Sequence, residues 1–236
     1  MSQLIVIGYS YSFPIQQAHS LKNIDRKYNT NWIEILAKNL KVNSAEIRSN
    51  YGVSNEWIYD QFLDVKDKIN PNDYIIVQTT SKSRHWFFED SPQKSNVLET
   101  TTNDNFFTKA QADSITAYYR HLQNDNLDSI ITKSILHSLS CYKNLGNILI
   151  LPGWESVNDV QGNLTDSICH NEFDNMQTRS MFYNLHQYDP RLNHMIIDNH
   201  YVLADKILNY FIDSTPLDLT YGFKSNIFTK NNLTLE

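Results

Sequence analysis

The sequence is poor in cysteine, glycine and proline, and it has no long apolar run. Its two cysteines, Cys141 and Cys169, lack the close spacing of a metal or redox motif, which predicts reduced thiols in an intracellular protein. Six glycines and six prolines in 236 residues exclude collagen-like and linker-type chains. No stretch approaches the roughly 18 consecutive apolar residues of a membrane-spanning helix, so we expect no membrane partner.

Basic residues are also fewer than acidic ones, with 20 Lys and Arg against 26 Asp and Glu and a net charge of −6. A nonspecific nucleic-acid binder needs a basic face, and no Lys/Arg cluster provides one, so no nucleic-acid partner is expected. The N-terminal MSQLIVIGYSYSF lacks the positive region of a signal peptide. Abundant Asn, Lys, Ile and Tyr suit an AT-rich coding source such as some bacteria and phages. These features predict a cytoplasmic or virion-associated protein.

The apolar content is sufficient for one sizeable core, at 41% hydrophobic and 12% aromatic residues. Continuous apolar runs predict buried strands at 4–7, 74–77 and 148–151, and a further strand is expected within 42–48. Helical spacing and capping residues predict helices at 31–40, 54–69, 108–122, 125–143 and 198–212.

This alternation predicts an α/β fold, a three-layer α/β/α sandwich with a mostly parallel central sheet. We expect a single domain over residues 1–213, followed by a C-terminal extension over 214–236. Ligands of such sheets bind beyond the carboxyl ends of the strands. That rule directs attention to residues 8–13, 78–84 and 152–155.

Two of the segments beyond predicted strands offer groups for binding an oxyanion. In GYSYSF, Ser10 lies two residues after Gly8 at a strand-to-helix turn, where a hydroxyl is held exposed. Such a turn is also found in phosphate sites, and many are simply turns. In SNYGVSNEWI, Gly52 offers an unobstructed backbone N–H and Asn55 offers a side-chain amide. The same residues are also typical of a loop glycine followed by an ordinary Ser or Asn helix cap.

Two further segments carry hydroxyls, a cation and histidines. After the third predicted strand, TTSKSR places Thr80 and then Arg84 near the same edge of the sheet. The segment DPRLNHMIIDNH brings His194 and His200 up to the last predicted helix. Two histidines six residues apart, with aspartates nearby, are stronger candidates for a catalytic base than a single histidine.

In this order, the four segments resemble the blocks of the SGNH hydrolases, the GDSL-type esterases and lipases. The resemblance is closest to the branch whose first block reads like G-C-S-F-T, here Gly8-Tyr9-Ser10, and TTSKSR is similar to that branch's W-T-S-x-x-R. The resemblance implies that Ser10 is the nucleophile and that the Gly52 amide helps form the oxyanion hole. Thr80 occupies the position of the family's oxyanion Asn, so that a hydroxyl, or Asn55, would have to supply this donor.

The last block of the family resembles His194 and the Asn199–Ala204 stretch that follows, which implies that His194 is the base. The family's Asp stands two or three residues before this His, where the chain has Arg191 and Leu192. We therefore assign Asp189 as the carboxylate partner of His194. The alternative is that Asp198 and His200 form the pair.

The implied reaction is hydrolysis of a small acyl ester, without a metal or an organic cofactor. Trp154 and Arg84 are candidate substrate-binding residues, and an aromatic ring at such a site suits stacking on a sugar, which favours carbohydrate O-acetyl groups as substrate. One alternative is a catalytically impaired SGNH-like domain that serves as a structural or binding component, for example of a phage virion. A more distant alternative is a flavodoxin-like binding protein that uses residues 9–13 for a phosphate.

Overall fold

The strands and helices alternate along the chain as an α/β protein requires. The computed structural model describes residues 2–9, 12, 31–50, 52–87, 107–157, 159–167, 172–173, 195, 197–224 and 227–228. The strands are β1 (Gln3–Gly8), β2 (Ser44–Ser49), β3 (Tyr74–Gln78), β4 (Asn147–Leu151), β5 (Val160–Gln161), β6 (Glu172–Phe173), β7 (Leu217–Asp218) and β8 (Ile227–Phe228). The helices are α1 (Trp32–Leu40), α2 (Asn55–Lys66), α3 (Lys109–His121), α4 (Asp125–Cys141), α5 (Leu164–Ser167) and α6 (Ile197–Asp213).

The centre of the fold is a four-stranded parallel sheet in the order β2-β1-β3-β4. In its register, Leu4 lies beside Ala45 of β2 on one side and Tyr74 of β3 on the other, and Tyr74 lies beside Asn147 of β4. The apolar residues of β1, β3 and β4 are buried because helices cover both faces of the sheet. The predicted α/β/α sandwich with a parallel sheet is confirmed.

The helices form two layers, with α1 packed against α6 and α2 packed against α4. Both helices that follow the first two strands begin at a side-chain cap. The Asn31 side chain accepts hydrogen bonds from the first turn of α1, and Ser54 Oγ accepts one from the Trp57 amide at 3.3 Å. These caps satisfy backbone donors that have no partner within the helix, which explains where α1 and α2 begin.

A buried carboxylate fastens the amino ends of β1 and β3 together. Asp73 is fully buried and accepts hydrogen bonds from the backbone and side-chain nitrogens of both Gln3 and Asn70, at 2.8–3.2 Å. Burial by itself would raise the pKa of Asp73, but these hydrogen bonds outweigh it and lower the pKa below its ordinary value. This anchor lies at the opposite end of the sheet from the strand ends where ligands bind in such folds.

The segment after α6 is attached to that helix by a reciprocal pair of hydrogen bonds. The Asn199 side chain donates to the Lys224 carbonyl at 3.0 Å and accepts from the Lys224 amide at 2.7 Å. Short parallel pairs, β5 with β7 and β6 with β8, lie outside the central sheet. Within the described ranges, no helix is both long enough and apolar enough to cross a bilayer.

Candidate functional site

The strand order reverses between β1 and β3, and this reversal defines the topological switch point of the sheet. From β1 the chain moves outward to β2, and it then returns across β1 to continue through β3 and β4. The loops leaving β1 and β3 therefore diverge and open a crevice at the carboxyl edge, where ligands bind in open parallel sheets. Three of the predicted site segments, beginning after Gly8, Ser49 and Gln78, leave the sheet at this edge.

Hydrogen bonds join the carboxyl ends of β1, β2 and β3, and the segments that follow them, to one another. Ser12 is fully buried, and its Oγ donates to Gln78 Oε1. Ser49 Oγ donates to the Ser12 carbonyl at 3.0 Å, and the Asn50 amide donates to the Gly8 carbonyl at 3.3 Å. A Cβ on Gly8 would lie 2.8 Å from Gln78 Cβ, so this strand end must be glycine for the Gln78 side chain to cross it. The turn that carries Ser10 thus starts from a tightly packed strand end.

Asn55, the first residue of α2, fixes the backbone that follows β3. Its Oδ1 accepts from the Thr80 amide at 2.8 Å, and its Nδ2 donates to the Thr80 carbonyl at 3.1 Å. Both residues are buried, so the two hydrogen bonds are shielded from water. The Asn55 amide is thereby occupied by the backbone of Thr80, and its role as an oxyanion donor stays a prediction.

At the end of β3 and just after it, two fully buried side chains carry a polar atom that has no hydrogen-bond partner among the described residues. These atoms are Gln78 Nε2 and Thr80 Oγ1. Orphaned buried donors are rare in folded proteins because each costs about 1–3 kcal/mol of desolvation. Their presence at the switch point indicates a place where a bound anionic or carbonyl oxygen would be stabilised.

Glycine allows two close backbone approaches at the same edge. Gly52 is buried with φ 71°, a left-handed conformation that suits glycine, and it lies in the loop between β2 and the Ser54 cap. A Cβ on Gly153 would lie only 2.0 Å from the Thr79 carbonyl oxygen. The loop after β4 can therefore lie against the loop after β3 only because residue 153 has no side chain.

That close approach brings Trp154 to the site, where it forms an aromatic pair with Tyr9 at a ring-centroid distance of 5.4 Å. The Arg84 guanidinium carbon lies 5.8 Å from the Tyr9 ring centroid and 5.3 Å from the Trp154 ring centroid. Tyr9, the residue before Ser10, is fully buried. The structure thus brings together the two residues that the sequence named for substrate binding.

A buried charged cluster lies directly beside this arrangement. His85 Nδ1 is 3.4 Å from Glu56 Oε1, and His85 Nε2 is 3.3 Å from Asp128 Oδ1. Burial opposes protonation of His85, but its hydrogen bond to Glu56 and the charges of Glu56 and Asp128 outweigh this and raise the pKa of His85. Burial likewise opposes ionisation of Glu56, but its hydrogen bonds to His85 and Ser54 outweigh this effect and lower the pKa of Glu56. The contact of Nε2 with Asp128 has an ion-pair distance without hydrogen-bond geometry. Two carboxylates this close favour the protonated imidazole, so His85 is poorly suited to act as a base.

Aromatic rings surround this cluster and limit the access of water. The rings of Tyr118 and Phe87 lie edge-on to the imidazole of His85, with centroids at 5.2 and 5.9 Å. The side chain of Asp128 is only 1% exposed. The cluster joins the start of α2, the loop after β3 and the first turn of α4, so it holds Thr80 and Arg84 in a fixed frame.

The predicted nucleophile and catalytic pair lie outside the described residues. These are Ser10, Asp189 and His194, and their roles stay predictions. Met195, which follows His194 in the chain, is buried in the core.

The alternative base pair is described by the structure. His200 is buried in the first turn of α6, and its Nδ1 accepts from the Trp32 amide at 3.2 Å. Asp198 Oδ2 is 2.6 Å from Lys224 Nζ. Because Nδ1 accepts this hydrogen bond, the proton of a neutral His200 is on Nε2. A protonated Nε2 cannot accept the proton of a nucleophile.

Several residues of this region were not assigned a role from the sequence. The buried donor of Gln78 was not recognised, because the resemblance in the sequence drew attention to Thr80. Glu56, His85 and Asp128 come from three different elements, and no local spacing connects them. The nearest signal in the sequence was the polar, aromatic-rich stretch that begins at residue 81.

A cavity of about 440 Å³ lies elsewhere, between α4, β4 and α6. Its lining includes Lys133, His137 and Tyr210, together with the ion pair of Lys143 and Asp159, and it contains none of the predicted site residues. The chemistry at the switch point is the better candidate, because the polar groups without partners are concentrated there. In the described part of the chain, no group of three or more His, Cys, Asp and Glu side chains is arranged to hold a metal ion.

Comparison of the chain with protein-family models, with curated proteins and with solved structures found no match.

Proposed function

We propose that the chain is a serine ester hydrolase of the SGNH type that acts on a small acyl ester, with Ser10 as nucleophile. The observation that carries the proposal is the pair of buried side-chain donors, Gln78 Nε2 and Thr80 Oγ1, that have no partner in the described structure at the switch point. The loop that contains Ser10 starts at this same point, from the fully buried Tyr9. Acyl transfer through an oxyanion requires a nucleophile close to such donors, and the chain leads from Tyr9 directly to Ser10.

In the proposed reaction, Ser10 Oγ attacks the ester carbonyl while His194 removes the hydroxyl proton. The oxyanion forms among the amides of Ser10 and Gly52, with Gln78 Nε2 and Thr80 Oγ1 as side-chain donors. The alcohol then leaves with the proton from His194, and water attacks the acyl-serine by the same route to release the acid. Loss of one oxyanion donor typically lowers kcat by about 10²–10³.

A catalytically impaired domain is the second candidate, and one observation favours it. The side-chain amide of Asn55 is occupied by the backbone of Thr80, and an Asn is replaced by Thr80 at the family's oxyanion position. If Gln78 and Thr80 do not substitute for that amide, the domain would bind an ester or a saccharide without turning it over.

The experiment that separates the two candidates is hydrolysis of p-nitrophenyl acetate by the full chain and three variants. We expect Ser10→Ala and His194→Ala to lose at least about a thousandfold in kcat/KM, since the residues of such a triad act as a unit. Ser114→Ala, which removes an exposed hydroxyl on α3, is the matched control and should retain full activity. A folded wild type without turnover above buffer would favour the impaired domain, and full activity of Ser10→Ala would overturn the assignment of the nucleophile.

A further inference from the structure

Arg84, at the carboxyl end of the sheet, is a cation without an anionic partner among the residues that the structure describes. Among the described residues, no carboxylate forms an ion pair with it, and its Nη1 is buried without a hydrogen-bond partner. A carboxylate stabilises a partly buried guanidinium strongly, because it accepts two parallel hydrogen bonds from it. Arg84 is partly buried, and its buried Nη1 lacks such a partner in the described structure.

The two carboxylates of this region are engaged by the neighbouring residue. Glu56 and Asp128 lie 3.4 and 3.3 Å from the two ring nitrogens of His85, which separates them and balances part of their charge. Neither carboxylate forms an ion pair with Arg84, so the guanidinium remains able to bind an anionic group from outside the described residues.

The support of Arg84 is rigid, as a binding residue requires. Its amide donates to the Ser81 carbonyl at 3.2 Å and so closes a turn. Tyr119 Oη donates to the Ser83 carbonyl at 2.8 Å, and Lys82 Nζ donates to Ser129 Oγ at 3.1 Å. The turn is thus attached to both α3 and α4, so the backbone that carries Arg84 is held in place before a ligand binds.

The aromatic rings beside Arg84 indicate what surrounds the anionic group. The guanidinium lies over Tyr9, which is fully buried, and over Trp154, which is partly exposed. Stacking on a ring leaves the in-plane N–H groups of an arginine able to bind a planar carboxylate. The exposed part of Trp154 offers an apolar surface of the kind on which a sugar ring packs.

We propose that Arg84 binds a carboxylate of the substrate, so that the preferred substrate is an acyl ester of an acidic saccharide, with a uronate as the group recognised. This proposal rests on the proposed function for the reaction, while the anion site itself depends only on Arg84, Tyr9 and Trp154. Two donors without partners in the described structure, Gln78 Nε2 at the end of β3 and Thr80 Oγ1 in the loop that follows, add to the preference for a negatively charged ligand.

The kinetic test compares 4-acetoxybenzoate with its methyl ester, which differ in one negative charge. We expect wild-type kcat/KM to be at least about tenfold higher for the carboxylate, the scale of a single charge-assisted contact. In Arg84→Gln this ratio should fall to near one, because KM for the carboxylate substrate rises. Arg84→Lys should give an intermediate ratio, because lysine retains the charge but cannot donate two parallel hydrogen bonds. Arg120→Gln, an exposed arginine on α3, is the matched control and should keep the wild-type ratio.

A binding test without turnover keeps the two proposals separable. We expect galacturonate, but not galactose, to raise the Tm of the wild type, and the effect to disappear in Arg84→Gln, with Arg84→Lys as the second variant if the first does not fold. Galacturonate binding without hydrolysis of either ester would uphold the anion site and overturn the proposed function. Hydrolysis with a wild-type ratio near one and no galacturonate effect would overturn the role of Arg84 and leave the proposed function standing.

Discussion

Replacing Asn55 by Ala should destabilise the protein far more than its position at the start of a helix suggests. The substitution removes both partners of the Thr80 backbone, whose amide and carbonyl are hydrogen-bonded to Asn55 at 2.8 and 3.1 Å. Thr80 is fully buried, so neither group regains a hydrogen bond from bulk water. Each of the two orphaned groups costs about 1–3 kcal/mol, and we therefore expect a loss of about 2–6 kcal/mol in the free energy of unfolding.

The assay is urea unfolding followed by circular dichroism, with thermal melting as a second measurement. For a chain of this size, 1 kcal/mol corresponds to about 2–4 °C in Tm, so a decrease of about 4–24 °C is expected. Asn126→Ala is the matched control, because Asn126 lies in the first turn of α4 and is exposed. We expect that change to alter stability by less than about 0.5 kcal/mol.

Amide hydrogen exchange shows whether the loss arises at the predicted position. Exchange at Thr80 should be slow in the wild type and should accelerate markedly in Asn55→Ala under native conditions. If Asn55→Ala is no less stable than Asn126→Ala, or if Thr80 exchanges rapidly in the wild type, the reciprocal bond does not hold this loop and the account of the site's framework is wrong.

Two further predictions concern the frame around the site. The pKa of His85 is raised, so its contribution to stability is complete below the ordinary imidazole pKa of about 6.5 and is lost as the pH rises through the higher pKa of the folded protein. The Tm difference between wild type and His85→Gln should therefore shrink as the pH is raised above about 6.5, and a difference that stays constant or grows would contradict the ion cluster. Gly153→Ala should lower the free energy of unfolding by about 3 kcal/mol or more in urea denaturation, because the new Cβ would meet the Thr79 carbonyl oxygen. Gly222→Asn is the control, because residue 222 has φ +85°, which Asn tolerates, and a Cβ there would make only ordinary van der Waals contacts at 3.6–4.0 Å. Equal losses in the two variants would refute the close approach.

The parallel core of the fold could be predicted because its signals are local and repeated. β1, β3 and β4 are short, continuous apolar runs, and Asn31 and Ser54 are ordinary helix caps. The edge strand β2 was expected at 42–48 and is observed at Ser44–Ser49. Its first residues are exposed and its sequence is only weakly apolar, so the boundary depends on pairing with β1, which residue pattern alone does not reveal.

The site was less accessible to sequence reasoning, because its polar groups meet only through the fold. The segments after β1 and β3 could be predicted as parts of the site, because ligands bind beyond the carboxyl ends of parallel strands. Arg84 and Trp154 were predicted as substrate-binding residues. The pairing of Asn55 with the backbone of Thr80 joins positions 25 residues apart on a helix and a loop. Nothing in the local sequence distinguishes this use of an Asn amide from an oxyanion donor.

The buried cluster of Glu56, His85 and Asp128 illustrates the same limit. Each residue by itself reads as a surface group on a polar stretch, and charged side chains are rarely buried unless they are paired. Only the packing of α2 against α4, with the loop after β3 between them, brings the three together.

The central claim, that Ser10 is an activated nucleophile, is tested most directly by reaction of the folded protein with a fluorophosphonate, followed by mass spectrometry of the labelled peptide. Ser10 and Ser12 lie in the same peptide, and Ser12 is buried with its hydroxyl donated to Gln78, so it serves as an internal control. We predict one label per chain on Ser10, none on Ser12, and loss of labelling in His194→Ala. Absence of label on Ser10 in the folded wild type, or labelling that survives in His194→Ala and is lost in His200→Ala, would contradict the assignment.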